Sequence, residues 1–264
     1  MAPSDILVIL PTLGDRIDTL RETLESIRTQ RSDVSLTLVV VAPEGAAEAR
    51  SLAVEFDAVI VDDPKTGISE AINRGLAARN GERFYAWVGD DDLFRPGGLK
   101  ELKALLDRHD DAVLAFGGCD YIDPNGAKIG LSDAGRLALM LLPWGPDLIP
   151  HPGTMIRLDA LQSIGGFDPA LSFAMDLDAF LKLRPHGRFV WTRRPVSAFR
   201  WHPDSLTVAN RRRSSMESEL VKRRHMPRWM RPISPLWAIP WRWAAQFASG
   251  RVSARARRLA KSAS

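Results

Sequence analysis

The chain has 264 residues, of which 45% are hydrophobic and 26% are charged, so it can fill the core of one large α/β domain or of two small ones. A single cysteine, Cys119, excludes an intramolecular disulfide. The first residues do not form a basic segment followed by a long apolar run, and no apolar stretch is long enough to span a bilayer. We therefore expect neither a signal peptide nor a transmembrane helix.

The predicted elements of the first half alternate between strand and helix. In chain order they are strand Ile6–Leu10, helix Ile17–Thr29, strand Leu36–Ala42, helix Ala46–Phe56, strand Ala58–Val61, helix Ile68–Arg79, strand Phe84–Val88, helix Gly98–Arg108 and strand Ala112–Phe116. This order is typical of a Rossmann-like α/β fold, in which helices cover both faces of a mainly parallel sheet. Ligands of such sheets bind at the carboxyl ends of the strands.

The second half is less regular. Asp123-Pro124-Asn125-Gly126 predicts a turn at the tip of a hairpin. The further predicted elements are helix Asp133–Leu142, strand Thr154–Arg157 leading into Leu158–Ile164, helix Asp176–Leu183, and strands Phe189–Thr192 and Val196–Trp201.

The net charge of +4 is unevenly distributed. Residues 211–264 have 14 basic and 2 acidic residues, a balance of +12, whereas residues 1–210 have a balance of −8. The sequence therefore predicts two parts, a domain over residues 1–210 and a basic, helical, Trp- and Arg-rich extension over residues 211–264.

Three consecutive acids, Asp90, Asp91 and Asp92, follow the apolar run Phe84–Val88 and Gly89. A buried strand that ends in a carboxylate cluster is suited to holding a divalent cation of the Mg²⁺ or Mn²⁺ type at the edge of the sheet. Bare carboxylates would repel a diphosphate, and a bridging cation converts that repulsion into attraction. We therefore predict a phosphorylated ligand. The alternative is a solvated acidic turn before the next helix.

Five motifs occur in a characteristic order over roughly residues 5–207. They are Val8-Ile9-Leu10-Pro11-Thr12, the segment Gly67–Gly75, the strand ending in Asp91-Asp92, Gly165-Gly166-Phe167-Asp168, and Ala174-Met175-Asp176-Leu177-Asp178. With these motifs the chain resembles glycosyltransferase family 2, a group of inverting enzymes with the GT-A fold. The resemblance implies a metal-dependent hexosyltransferase that uses Mn²⁺ or Mg²⁺ and a nucleotide-sugar donor.

The resemblance assigns the donor site to the first half of the chain. Asp92 corresponds to the metal-binding acid, and Asp91 to the acid that contacts the ribose, while Asp90 shares the donor site with them. This sequence departs from the usual motif, because Gly89 stands where many relatives have another aspartate.

Four further donor-site residues follow from the resemblance. Pro11, Thr12 and Glu44 correspond to positions that hold the nucleobase and ribose. The alternative for Glu44 is a charge at a helix N-terminus. Asn73 is predicted either to order the turn of the Gly67–Gly75 segment, where a loop enters a helix, or to contact the donor.

Asp176 is the predicted catalytic base. Inverting transfer requires a carboxylate that removes the proton from the acceptor hydroxyl as it attacks the anomeric carbon. Relatives often have Glu-Asp at this place, whereas this chain has Met175-Asp176. Helix capping is the alternative for Asp176, and Asp178 is predicted to orient a loop or to cap.

Two histidines complete the predicted site. His202 lies in a segment that matches a family loop able to close over the diphosphate, so it is predicted as a loop residue and as a metal ligand. His151 lies where relatives often have a histidine near the acceptor. A structural role is the alternative for both residues.

The basic extension combines Arg and Lys with four of the eight tryptophans of the chain. This composition suits the surface of an anionic membrane, where each basic residue contributes roughly 1 kcal/mol. The alternatives are a packing or dimerisation helix, a solvated tail, and a nucleic-acid patch. Membrane binding predicts a cytoplasmic enzyme that is peripheral on the inner face of the cell membrane.

Together these features predict transfer of a sugar to a glycan or lipid-linked acceptor, in the synthesis of bacterial cell-surface or cell-wall polysaccharide or glycolipid. One alternative is a metal-dependent nucleotidyltransferase, although Pro11–Arg16 lacks the Gly-rich, lysine-containing loop of that class. The other is a nucleic-acid-binding protein, which leaves Asp176 unexplained. We therefore predict no nucleic-acid partner.

Overall fold

Nine strands form one sheet in the part of the chain that the structure, a computed structural model, describes: residues 4–133, 135–201, 211–234 and 236. The strands are β1 (Ile6–Pro11), β2 (Leu36–Ala42), β3 (Val59–Asp62), β4 (Phe84–Trp87), β5 (Leu93–Phe94), β6 (Ala112–Ile122), β7 (Lys128–Ser132), β8 (Thr154–Arg157) and β9 (Arg188–Arg200). The α-helices are α1 (Ile17–Gln30), α2 (Ala47–Glu55), α3 (Ile68–Ala77), α4 (Gly98–Arg108), α5 (Arg136–Leu141), α6 (Leu158–Ser163), α7 (Met175–Leu183) and α8 (Arg211–His225).

The strand order is β3-β2-β1-β4-β8-β6-β9-β5, with β7 paired to β6. Strands β3, β2, β1 and β4 pair in parallel, so their carboxyl ends lie at one edge of the sheet. β8 is antiparallel to both β4 and β6, whereas β6 and β9 are parallel. The predicted Rossmann-like α/β fold of the GT-A type is confirmed, and the parallel half has the binding edge that such sheets use.

Four strands differ from the prediction. β6 continues to Ile122 and pairs with the unpredicted strand β7, so the turn at Asp123–Gly126 is the tip of a hairpin as expected. β9 is one strand of 13 residues where two were predicted, because it runs through the polar segment Arg193-Arg194-Pro195 with shifts in register. The unpredicted strand β5 has only two residues.

The two faces of the sheet are buried against different helices. Along β4, Phe84 and Ala86 belong to one apolar cluster, whereas Tyr85 and the partly buried Trp87 belong to the other. This alternation is what the two-residue period of a strand requires when both faces are covered. The cluster around Tyr85 includes α7, so the side of β4 that faces α7 is part of the interior.

Helix α8, the first part of the basic extension, packs on α7. Val221 of α8 is fully buried and belongs to the same apolar cluster as α7, and Met226, just after α8, is 6% exposed. Packing is therefore the role that the structure shows for this helix, while residues 237–264 lie outside the described residues. The division of the chain at residue 210 stays a prediction. In the described ranges no helix has both the length and the apolar character needed to cross a bilayer.

Candidate active site

The loops after β1 and β4 meet at the acidic cluster. The Thr12 hydroxyl donates a hydrogen bond of 2.7 Å to Asp90, and Arg16 Nη1 lies 2.6 Å from Asp91 Oδ2. Burial raises the pKa of Asp90 to about 6, although the bond from Thr12 opposes this effect. Because β1 and β4 are neighbouring parallel strands, their carboxyl ends bring the predicted donor residues Thr12, Asp90 and Asp91 together.

Asp92 is the most deeply buried acid of this cluster, with 2% of its surface exposed. Its Oδ1 accepts a 3.0 Å hydrogen bond from the backbone N–H of Arg200 at the end of β9. Burial raises the pKa of Asp92 well above its ordinary value, and the nearby charge of Asp91 adds to the effect. Nearby positive charge therefore does not offset the free-energy cost of removing the ionised Asp92 carboxylate from water.

Arg200 connects the acidic turn to the rest of the fold. Its buried guanidinium donates to the backbone carbonyls of Asp91 at 3.0 Å and Pro124 at 2.7 Å, and it also contacts the carboxylate of Glu22. Arg200 therefore holds both the carbonyl of the Asp91–Asp92 peptide and, through its backbone N–H, the side chain of Asp92. Arg200 thus holds the two acids in one arrangement without neutralising the carboxylate of Asp92.

Carboxylate oxygens of Asp91 and Asp92 converge beside Gly89. A Cβ at this position would lie 3.2 Å from Asp91 Oδ1 and 3.3 Å from Asp92 Oδ2, so both oxygens approach the same side of Gly89. Carboxylate oxygens are the ligands that Mg²⁺ and Mn²⁺ prefer, and a cation would offset the repulsion that raises the pKa of Asp92. No three His, Cys, Asp or Glu side chains of the described ranges group around a common metal position. The predicted ligand His202 lies outside those ranges.

A cavity of about 470 Å³ lies at the carboxyl ends of β2 and β3. The exposed Glu44 lines it from the loop after β2, opposite Asp63 and Lys65 in the loop after β3, and Arg74 of α3 completes the wall. Arg74 also pairs with Glu70 on its own helix at 3.2 Å. Pro11 ends the neighbouring strand β1, so this cavity lies at the edge predicted to hold the nucleotide.

Asn73 orders a turn. Its amide donates a 2.7 Å hydrogen bond to the carbonyl of Phe167 and accepts a 3.0 Å bond from the N–H of the same residue. Phe167 follows Gly165 and Gly166, which both have a positive φ angle that favours glycine. The pair of bonds attaches α3 to this glycine turn, which is not the turn within Gly67–Gly75, and both predicted roles of Asn73 stay predictions.

Asp176 lies in the first turn of α7, in a second acidic group. Burial raises its pKa to about 6, although a 2.8 Å hydrogen bond from the N–H of Leu177 opposes the change. Asp147, in the loop after α5, has a pKa raised to about 7 by burial and by the charge of Asp176. Tyr85 of β4 also experiences the charge of Asp176, which places this group beside the strand that leads to the Asp90–Asp92 cluster.

Asp178 faces α8 and is 2% exposed. Its carboxylate lies 2.8 Å from His225 Nε2 and 2.7 Å from Lys182 Nζ. Burial alone would raise the pKa of Asp178, but the hydrogen bonds from His225 and Lys182 lower it. The residue therefore links α7 to α8, and its predicted function in orienting an acceptor loop stays a prediction.

His151 is buried among aromatic side chains. Its ring stacks on Trp87 with centroids 4.3 Å apart, and its Nε2 lies 3.4 Å from the Tyr85 hydroxyl. Burial lowers the pKa of His151 to about 3, so the imidazole is neutral at physiological pH. The ring packs beneath the end of β4, and its predicted place near the acceptor stays a prediction.

Four polar residues of the two acidic groups were not predicted from the sequence as site residues. They are Arg16, Asp147, Arg200 and Glu217. Their partners are between 29 and 178 positions away in the chain, so no local spacing marks them. Glu217 has the weakest sequence signal of the four for a role in the site. It lies on a basic helix and is one of only two acids in residues 211–264.

Comparison with known proteins identifies the family. The model of "Glycosyl transferase family 2" matches residues 7–165, which is more than half of the chain. No curated protein matches the chain in sequence. Two solved structures have a similar fold. TarS of S. aureus (residues 1–349, in complex with UDP-GlcNAc) has a TM-score of 0.64 at 15% identity, over 82% of this chain and 65% of the TarS chain.

The second is the mannosyltransferase PcManGT from Pyrobaculum calidifontis, in complex with GDP-Man and Mn²⁺. It has a TM-score of 0.66 at 19% identity, over 100% of this chain and 80% of its own. At such identities these likenesses show the fold, and the match to the family model shows membership. The chain therefore belongs to glycosyl transferase family 2.

Proposed function

We propose that the protein is an inverting hexosyltransferase that moves a sugar from a nucleotide-diphosphate donor to a hydroxyl of a glycan or lipid-linked acceptor. The observation that carries this proposal is the presence of two separate acidic groups along β4. One, Asp90–Asp92, lies at the carboxyl end of the strand, and the other, around Asp176, lies beside Tyr85. The first group is suited to bind a cation and a diphosphate, and the second is suited to supply the general base.

The donor would bind at the carboxyl ends of β1 to β4. Glu44 and Arg74 line a cavity for the nucleoside, Asp91 would contact the ribose, and Asp92 would hold Mn²⁺ or Mg²⁺ beside Gly89. When bound, such a cation neutralises the charge of the departing nucleoside diphosphate. Arg200 would keep both acids in place throughout. Binding of GDP-Man with Mn²⁺ by PcManGT, and of UDP-GlcNAc by TarS, supports this donor class.

Asp176 would act as the base. With a pKa of about 6 it is mostly deprotonated at pH 7 and is still more basic than an ordinary carboxylate. It takes the proton of the acceptor hydroxyl while that oxygen forms its bond to the anomeric carbon. The bond from this carbon to the diphosphate oxygen breaks on the opposite face and the nucleotide leaves with the electron pair, so the anomeric configuration inverts.

A donor panel tests the proposal. Purified protein is incubated with UDP-, GDP- and dTDP-sugars and with candidate glycans or lipid-linked acceptors, with and without Mn²⁺, and the products are analysed by NMR. We expect release of a nucleoside diphosphate and an inverted anomeric configuration in the product. Retained configuration would contradict the single-displacement mechanism. Release of sugar 1-phosphate instead, with the nucleoside monophosphate transferred to the acceptor, would indicate nucleotidyl transfer.

We further propose that the basic extension holds the enzyme at the cytoplasmic surface of a bacterial membrane, as synthesis of a surface polysaccharide or glycolipid would require. The exposed face of α8 supports this, because Met216 and Leu220 lie on it between Arg212 and Arg223. Co-sedimentation with anionic liposomes compares the full chain with a chain that ends at Ser234. A cut at Ser234 is preferable to one before α8, since α8 packs on the domain. Equal binding of both chains to the liposomes would confine the membrane contact to residues before 235, such as the exposed face of α8, and failure of the full chain to bind would refute the proposal.

A further inference from the structure

A carboxylate from α8 binds the backbone that leads into α7. Glu217 Oε1 accepts hydrogen bonds from three consecutive N–H groups, those of Ser172 at 2.9 Å, Phe173 at 2.7 Å and Ala174 at 2.8 Å. Three successive N–H groups directed at one oxygen form a concave site for an anion. Here the anion belongs to the protein itself and comes from a helix 43 to 45 residues away in sequence.

The contact replaces a missing local cap. Ala174, the N-cap residue of α7, has no side chain that could accept a hydrogen bond from the first turn. A negative charge at this end also interacts favourably with the helix dipole. Asp176 is the second residue of α7, so the residues that Glu217 fixes are only two to four positions from this carboxylate.

Glu217 is itself held in place, because α8 is attached to the domain at several points. Val221 is buried in the core, His225 pairs with Asp178 of α7, and Lys222 Nζ donates to the carbonyl of Gly145. The contact of Lys222 fixes the loop that contains Asp147, the other acid of this group. Helix α8 therefore supports the environment of Asp176 from two directions.

We propose that Glu217 is a positioning residue, which holds the start of α7 so that Asp176 is oriented to remove the proton of the acceptor. This inference rests on the proposed function of Asp176 as the base. It assigns part of the active site to the basic extension, a segment whose composition alone indicates a surface role.

The charge of Glu217 provides a readout that a purely structural contact would not. The groups that act on Asp176 are Tyr85 of β4, Asp147 of the loop after α5, and Glu217, with Lys222 facing Asp147. The negative charge of Glu217 raises the pKa of Asp176, in addition to the larger effect of burial. Removing that charge should lower the pKa of Asp176, so the acidic limb of the activity profile should move to lower pH.

The test measures kcat and KM against pH for Glu217→Ala and Glu217→Gln, with Glu55→Ala, an exposed glutamate at the end of α2, as the control. Displacement of a reacting group by about 1 Å can cost roughly a hundredfold in rate, so we expect Glu217→Ala to lower kcat by roughly tenfold to a hundredfold with little change in the KM of the donor. Glu217→Gln keeps an acceptor oxygen and should recover part of kcat. Both Glu217 variants should shift the acidic limb to lower pH, whereas Glu55→Ala should change neither kcat nor the position of this limb.

Two results would overturn the inference: wild-type kcat in Glu217→Ala, or a lowered kcat with an unmoved acidic limb in both variants. Circular dichroism of each variant establishes that it is folded, and Glu217→Gln serves as the test if Glu217→Ala does not fold. Asp176→Asn, measured in parallel, separates this inference from the proposed function. If Asp176→Asn is active, the base assignment fails. If it is inactive while both Glu217 variants behave as the wild type, only the positioning role fails.

Discussion

Replacing Asp176 with asparagine should inactivate the enzyme and stabilise its fold. Asparagine keeps the oxygen that accepts the 2.8 Å hydrogen bond from the N–H of Leu177, so the first turn of α7 should be retained. It cannot take a proton from the acceptor. General-base catalysis contributes about 10²–10⁴-fold, and we expect kcat to fall by that factor while the affinity for the donor nucleotide is unchanged.

The gain in stability follows from the pKa of Asp176. Burial raises this pKa from 3.8 to about 6, which means that the folded state binds the proton more tightly than the unfolded state. Below about pH 4, Asp176 is protonated in both the folded and the unfolded state, so its charge does not lower the free energy of unfolding. As the pH rises from about 4 to 6, ionisation of Asp176 increasingly destabilises the folded state. Above pH 6 this destabilisation has its full value, which is at most about 3 kcal/mol.

The assay combines single-turnover kinetics with urea unfolding at pH 4.5 and pH 8. We expect the free energy of unfolding of Asp176→Asn to exceed that of the wild type at pH 8, and the difference to shrink at pH 4.5. The turnover of the wild type should fall about tenfold for each pH unit below 6. Because Asp147 titrates in the same group, apparent values belong to the pair. Near-normal turnover of Asp176→Asn, or a stability difference that is independent of pH, would refute the reasoning.

Two further predictions concern the acidic turn. Gly89→Ala would place a Cβ 3.2 Å from Asp91 Oδ1 and 3.3 Å from Asp92 Oδ2. We therefore expect calorimetry to show that Mn²⁺ binds at least about tenfold more weakly to this variant, while its circular dichroism stays unchanged. Unaltered affinity for Mn²⁺ would place the metal elsewhere. Arg200→Met removes a buried guanidinium and its bonds to two carbonyls and to Glu22, which should lower the free energy of unfolding by about 3 kcal/mol. The control Arg188→Met, an exposed arginine on the same strand, should cost less than about 1 kcal/mol, and equal losses in both variants would contradict the structural role of Arg200.

The regular elements could be predicted because their apolar pattern is local. The alternation from β1 to β4 appears in the sequence as short apolar runs separated by amphipathic segments, and the structure confirms each of them. Strand β5 is too short for any periodicity, and β9 passes through Arg193 and Arg194, whose polarity obscured a continuous strand. The sequence pattern thus predicts a helix or a strand wherever burial alone determines which positions are apolar.

The candidate site was predictable only where its residues follow a strand directly or belong to a motif of the family. Asp90–Asp92 could be identified because an apolar run ends there, and Asp176 because of its motif. Arg200 and Glu217 act through bonds to distant backbone groups, and such bonds depend on tertiary packing, which spacing in the chain does not encode. For the same reason the burial of His151 under Trp87 was not apparent beforehand.

The central claim is that one acidic group holds the donor with a cation while the other accepts the proton. Calorimetry of nucleotide binding to Asp92→Asn, with and without Mn²⁺, tests it most directly, because asparagine keeps the oxygen that accepts the N–H of Arg200. We predict that Mn²⁺ strengthens nucleotide binding to the wild-type protein and to Asp176→Asn, but not to Asp92→Asn. Equal strengthening by Mn²⁺ in Asp92→Asn would contradict the account.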